Sequence, residues 1–215
     1  MESRAMMALR SFITSGDVEP GARLTEIDLS ERLGVGRATL RTVLARLADE
    51  GLVVKKPYAG WHVIELDEQA VWEIWTLRGS FESLAGRLVV EHGDAAALDR
   101  IAAAHRTLVD ACTEGDLNEI SRRDFEFHRA VLVGSRNQRL IRHYDVVAHQ
   151  VRMYIRVSNS EVAADPDDIV EQHRALAAAF AARDADRVFA EAWKHNESEG
   201  GRLLARRTAL RENAG

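Results

Sequence analysis

Asp124 and His128 stand four residues apart, a spacing at which two side chains on one helix face can reach a single ion. Leu117, Ile120, Phe127 and Val131 recur around them at helical intervals, so both polar residues fall inside an apolar face. A carboxylate buried there is costly unless it is paired or metal-bound. His173 sits in the middle of a second apolar stripe formed by Ile169, Leu176, Ala177 and Phe180, and His195 follows Val188 and Ala192 along a third helix. The spacing leaves three other outcomes open. Asp124 and His128 could form an internal salt bridge, His173 could be a hydrogen-bonded core histidine, and His195 could share a solvent-facing side with Glu199, Arg202 and Arg206. His62, His92, His105, His143 and His149 read as surface or packing residues.

A second chemistry lies near the N-terminus. From Gly36 to Ala48 the chain carries Arg37, Arg41 and Arg46 and no acidic residue. Leu40, Val43, Leu44 and Leu47 mark the buried face of a helix. Arg37 and Arg41 lie one turn apart near its start, away from that face. An arginine fork can bond two acceptors of guanine or clamp a phosphate, and the first residues of the second helix of a helix-turn-helix meet the base edges. Two arginines alone could equally be a solvated helix face.

The elements that position these residues can be read in order. A short helix over 3–15 buries Met7, Leu9, Phe12 and Ile13. Gly16 and Pro20-Gly21 end it. Arg23-Leu24-Thr25-Glu26 leads into the next helix, with Thr25 as N-cap and Asp28 three residues on. Gly34 closes that helix and Gly51 closes the arginine helix. Residues 52–54 and 61–64 read as two strands around Lys55-Lys56-Pro57-Tyr58-Ala59-Gly60, a hairpin wing with Gly60 at its tip. From Asp67 no strand signal remains. Helices are predicted near 68–91, 94–114, 116–133, 137–157, 167–183 and 185–209, and their short connections imply an antiparallel bundle. The fold expected is mainly α: a winged helix-turn-helix over 1–66 (three helices and a hairpin) and an all-helical unit over 67–215.

Composition fits this outline. The 215 residues hold only 3 prolines and 14 glycines, which favours helix over sheet. The single cysteine, Cys112, excludes an intrachain disulfide and fits a reducing compartment. No apolar run is long enough for a membrane span and no signal peptide is recognisable, so a cytoplasmic location is expected. Net charge is −5, yet residues 1–66 are neutral and the acidic excess belongs to the remainder. Arg32, Arg37, Arg41, Arg46, Lys55 and Lys56 form a basic patch on the neutral part.

The stretch GDVEPGARLTEIDLSERLGVGRATLRTVLARLADEGLVVKKPYAGWHV resembles the winged helix of the GntR family of bacterial transcription regulators. The resemblance implies DNA-reading roles for Arg37 and Arg41 and a wing glycine at Gly60, with Thr39, Arg46 and Lys55 in support. Gly36, Ala38 and Ile27 depart from the family, which often carries polar contacts there. The second half resembles the FCD ligand-binding domain of the FadR-type branch, through Leu77-Arg78 with Glu82, Asp124-Phe125-Glu126-Phe127-His128, Asn137, Glu171-Gln172-His173-Arg174 and His195. Arg136 stands where the family prefers glycine. The resemblance implies metal ligation by Asp124, His128, His173 and His195 and an effector pocket that includes Arg78, Glu82 and Asn137. Three neutral imidazoles and one carboxylate suit Zn²⁺, Ni²⁺ or Mn²⁺, and Arg78 could hold the far oxygen of a small carboxylate effector in a bidentate bond, oriented by Glu82; without the resemblance, an interhelical salt bridge is an equal reading of Arg78.

These expectations converge on a homodimeric, DNA-binding transcription regulator, a repressor, acting on palindromic double-stranded operator DNA under control of a small organic acid in a metal-containing pocket. Two rivals stand beside it. One is a metal-dependent hydrolase or lyase acting on a small carboxylic acid. The other keeps the DNA binding and makes the metal a structural staple.

Overall fold

The computed structural model describes residues 2–163 and 165–213. The N-terminal part holds α1 (Glu2–Thr14), α2 (Glu26–Leu33) and α3 (Arg37–Asp49) with strands β1 (Arg23–Leu24), β2 (Val53–Lys56) and β3 (Gly60–Val63). The Thr25 hydroxyl accepts from the Asp28 amide at 3.3 Å and starts α2. Gly34, at φ 62°, ends it. Ser30 Oγ donates to the Val35 carbonyl across the tight turn. Gly36 caps α3 without a side-chain hydrogen bond. Leu40, Val43, Leu44 and Leu47 are fully buried, so the period read from the sequence sets the outward direction of Arg37 and Arg41.

The sheet is antiparallel in the order β1-β3-β2. Met7, expected inward on α1, is exposed, and Ala5 takes the buried place beside Leu9 and Ile13. Two details of the strands also differ from expectation. Arg23–Leu24, read as a lead-in to a helix, is a strand paired with Trp61 and His62; two residues carry no periodicity, and only the neighbouring edge makes them extended. The hairpin ladder also runs further, with Lys56 opposite Gly60. The turn therefore contracts to Pro57-Tyr58-Ala59, and its tip is Tyr58, fully exposed at φ 60°, rather than Gly60.

The remainder is helical: α4 (Glu68–His92), α5 (Ala95–Glu114), α6 (Leu117–Gly134), α7 (Gln138–Glu161), α8 (Pro166–Ala182) and α9 (Ala185–Asn213). Asp67, Asp94, Asp116, Asn137 and Asp165 each cap the helix that follows, their side-chain oxygens accepting backbone N–H groups. Both α7 and α9 extend about a turn beyond the predicted ends. Antiparallel α4 and α9 form the longest seam, and small residues let them close: Gly79 lies under Trp193 and Asn196, Gly86 under Val188, and Gly200 under Trp75. The two parts meet at α7. Gln150 donates to the Glu50 carbonyl at 3.0 Å, Arg156 donates to the Ser15 carbonyl at 3.2 Å, and Glu50 is gripped by Arg10 at 2.6 and 2.9 Å. Among the described residues no helix is long and apolar enough to cross a membrane.

Neighbouring glycines of α9 should respond oppositely to alanine. A Cβ at Gly200 would lie 2.4 Å from Trp75, whereas Gly201 has nothing within 4 Å. In urea titrations, Gly201→Ala should gain up to about 1 kcal/mol from helix propensity, and Gly200→Ala should lose about 1–3 kcal/mol to overpacking.

Candidate metal centre and nucleic-acid interface

Helix α6 presents Asp124 and His128 one turn apart, α8 presents His173, and α9 presents His195. All four are buried, at 3%, 0%, 1% and 7% exposure. The Nε2 atoms of His128 and His173 lie 3.2 Å apart, and each lies 3.2 Å from Asp124 Oδ1. The three imidazoles offer nitrogens that all fall within 4.8 Å of one another. Donors about 2.1 Å from a common ion sit about 3.0–3.4 Å apart, the edge length of an octahedron or tetrahedron. An internal salt bridge explains the arrangement less well. It would pair Asp124 Oδ1 with His128 and His173 but leave His195 Nε2 buried without a hydrogen-bond partner.

The far side of each ring is occupied. His128 Nδ1 lies 2.8 Å from Glu82 Oε2, His173 Nδ1 lies 2.8 Å from the Ile169 carbonyl, and His195 Nδ1 lies 3.3 Å from the Gln172 carbonyl. Asn159 donates to Asp124 Oδ2 at 2.9 Å, leaving Oδ1 turned to the imidazoles. Outer acceptors of this kind fix which nitrogen is left to ligate. Burial and the neighbouring cations hold His195 well below the usual imidazole range, so it is neutral as a ligand must be. Burial would push Asp124 up, but His173 and His128 overcome it and keep the carboxyl ionised. Burial would lower His128, and Glu82 reverses the direction.

Arg78 and Glu82 form a ring outside this cluster. Arg78 is fully buried; its Nε donates to Glu82 Oε1 at 2.9 Å and its Nη1 to Glu199 Oε2 at 2.7 Å. Only Nη2 lacks a partner. A bidentate grip on a ligand would have to displace one of those carboxylates, so the free arginine fork expected from the sequence is not what the fold provides. Glu82 also accepts from Tyr144 at 3.3 Å and Asn196 at 3.0 Å. Burial would raise its carboxyl, and Arg78 with His128 holds it well below the usual range. Asn137 is not brought to the cluster by any contact. It is exposed, and its side-chain oxygen accepts from Arg139 and Leu140 as the cap of α7.

Glu199, Asn159, Asn196 and Tyr144 were not singled out from the sequence. Glu199 carried a signal: it stands one turn beyond His195. Its neighbours Arg202 and Arg206 made that side read as solvated, yet Glu199 is 4% exposed. A cavity of about 370 Å³ between α5 and α8 is lined by His105, Phe127 and Phe180. Phe127 separates it from the cluster, its ring 5.1 Å from His128 and 5.4 Å from His173. A smaller cavity of about 120 Å³ is lined by His195, Gln172 and Lys194.

On the N-terminal part, Arg37 and Arg41 are exposed at the start of α3 and Thr39 is half-buried between them. Arg41 pairs with Glu26 at 2.9 Å and Arg46 with Glu2 at 2.8 Å, both largely in solvent; exposed pairs of this type exchange readily for another anion. Lys55 lies 5.6 Å over the Trp61 ring on the wing. Gly60, at φ 86°, allows the turn that holds Tyr58 at the tip.

Residues 2–63 match the family described as bacterial regulatory proteins, gntR family, and residues 73–198 match the FCD domain. The HTH-type transcriptional repressor GlaR of Escherichia coli (strain K12) is 30% identical over 190 residues, covering 84% of this chain and 85% of that protein. The "Probable D-xylose utilization operon transcriptional repressor" of Paenarthrobacter nicotinovorans is 25% identical, covering 81% and 76%. E. coli McbR/YncC has the same fold, with a TM-score of 0.78 at 21% identity over 96% of this chain and 98% of that one.

Two substitutions contrast the buried ring with the surface. Glu82→Ala leaves the buried Arg78 with Glu199 alone and takes the acceptor from Tyr144 and Asn196, and should cost about 3–5 kcal/mol in denaturant unfolding. Arg174→Ala, which breaks an exposed pair with Glu171, should cost less than about 1 kcal/mol.

Proposed function

The chain belongs to the gntR family of bacterial regulatory proteins and carries an FCD domain, and on that premise we propose that it is an acid-sensing, metal-dependent repressor of the FadR-type branch. It is a DNA-binding transcription regulator, as the relatives named above are, and the hydrolase or lyase reading is set aside with them. In this proposal residues 1–66 read the operator and residues 67–215 sense the effector. Arg37 and Arg41 read base edges or phosphate from the start of α3, with Thr39 and Arg46 beside them and Lys55 and the Gly60 turn on the wing. A homodimer acting in the cytoplasm would set two copies of α3 on a palindrome, half-sites about one helical turn apart. Support for the dimer comes from apolar side chains left in solvent on α4 and α7, namely Trp72, Leu77, Leu84 and Val146.

The observation that carries the sensing half is the convergence of Asp124 Oδ1 with the Nε2 atoms of His128 and His173 at 3.2 Å, beside the unpartnered His195 Nε2. A bound divalent ion such as zinc, nickel or manganese would supply a Lewis-acidic anchor for a small carboxylate. Arg78 Nη2 is the one guanidinium nitrogen left to add a hydrogen bond, while Glu82 fixes both Arg78 and His128. Asn137, as an N-cap, contributes only by ordering α7. Helix α7 gives the output a route: Asn159 holds Asp124, and Gln150 and Arg156 hold the N-terminal part. An acid changes operator affinity only to the extent that it binds one arrangement of the two parts better than the other.

A structural role for the metal is favoured by one observation, the commitment of Arg78 to two carboxylates. Chelation that lowers the melting temperature while no acid alters DNA affinity would select that reading.

Mobility-shift titrations on the DNA flanking the gene test the proposal. Arg37→Ala and Arg41→Ala should each weaken specific binding by about 1–3 kcal/mol. His173→Ala should keep operator binding, lose the metal measured by elemental mass spectrometry, and lose the response to acid. A folded dimer with no specific binding at moderate salt, or an acid response that survives His173→Ala, contradicts it.

A further inference from the structure

A second polar cavity lies away from the histidine cluster, at the junction of the two parts of the chain. It has a volume of about 220 Å³ and is enclosed by the end of α1, the start of α6 and the middle of α7. Its walls include Ser15, Ser121, Arg122, Arg152 and Arg156.

Two of these groups have unmet hydrogen-bonding capacity. Ser121 is 4% exposed and its Oγ has no partner. Arg152 is half-buried, its guanidinium stacks 4.6 Å over the Phe125 ring, and its Nε is buried and unpartnered. No ion pair engages Arg152 among the described residues. Asp116 and Glu119, which also line the cavity, and Glu126 nearby are already committed. Glu119 is held by Arg122 and Arg123 at 2.5–2.8 Å, hydrogen bonds that depress its carboxyl to about 2. Glu126 is held by the same two arginines at 2.6 and 3.0 Å. Asp116 caps α6. Arg156 is spent on the Ser15 carbonyl and Asn118. Burial lowers the proton affinity of Arg152, the Glu126 carboxylate opposes that, and Arg122 adds to it. A half-buried guanidinium without an ion pair among the described residues thus lines the same cavity as a buried, unpartnered hydroxyl, and both can donate to an anion placed there.

We propose that this cavity is a binding site for a small oxyanion, a carboxylate or phosphate, held by the Arg152 fork and the Ser121 hydroxyl. The guanidinium plane, fixed by Phe125, presents N–H donors in the geometry that matches two oxygens of such a group. The volume is below that of pockets for drug-sized ligands, so the ligand is an inorganic ion or a metabolite of a few carbons. Because the end of α1 lines the cavity as well, the anion would lie against the DNA-reading part while held by the bundle, independently of the metal centre.

Calorimetric titration of the full chain with inorganic phosphate, and separately with succinate, tests this; whichever anion binds identifies the source. Saturable binding at one site per chain is expected, undiminished in His173→Ala. Arg152→Gln should weaken it about tenfold or more, the scale of a charged hydrogen bond. Ser121→Ala should weaken it less, and Arg152→Lys, which keeps the charge and stem, should recover part of the loss. Amide exchange should slow over residues 11–16 and 116–122 when the anion is bound. Absence of saturable binding of either anion into the tens of millimolar overturns the proposal. So does binding unchanged by both Arg152→Gln and Ser121→Ala, or exchange protection confined to other segments.

Discussion

Arg78 lies wholly inside the helical bundle, with Glu82 of its own helix on one side and Glu199 of α9 on the other. An ionised side chain cannot be left alone in such a place, so this pair of contacts dictates how α4 and α9 must meet. The glycines along their seam let the backbones come close enough for Glu199 to reach across. Once the seam is set, Glu82 is held by Arg78, Asn196 and Tyr144, and its second oxygen lies against His128 Nδ1. The ion pair thus acts on the cluster without being part of it, by deciding which imidazole nitrogen faces inward.

The same logic operates around the other donors. Two backbone carbonyls hold His173 and His195 by Nδ1, and Asn159 turns Asp124 so that Oδ1 faces the rings. Four helices contribute, and each outer contact is made by a residue one turn away or on the facing helix. His195 Nε2, buried without a hydrogen-bond partner, lies among these converging atoms. The outer nitrogens of the three rings thus face acceptors, and the inner ones face one another and Asp124 Oδ1.

Much of this was legible in the chain, and the reasons are physical. Leu40, Val43, Leu44 and Leu47 have a period that can face only one core, so the outward placement of Arg37 and Arg41 followed. Asp124 and His128 were conspicuous as polar residues within an apolar stripe. Glu199 was not, because the arginines of its helix masked a burial that depends on Arg78, 121 residues earlier. For Arg78 the residues alone allow either a ligand clamp or an interhelical salt bridge, and the bridge depends on Glu199, far away in the chain. Asn137 resembled a pocket residue but is an N-cap, a role that local sequence permits equally well. Strand β1 is two residues long and is extended only because Trp61 and His62 lie beside it.

Acid sensing in the proposed form requires that Asp124, His128, His173 and His195 share one ion. X-ray absorption at the metal edge of the purified, metal-replete chain tests it directly. Three imidazole nitrogens with at least one oxygen at about 2.0–2.2 Å are predicted, falling to two imidazoles in His195→Ala. A sulfur or all-oxygen shell, or a spectrum that His195→Ala leaves unchanged, would contradict it.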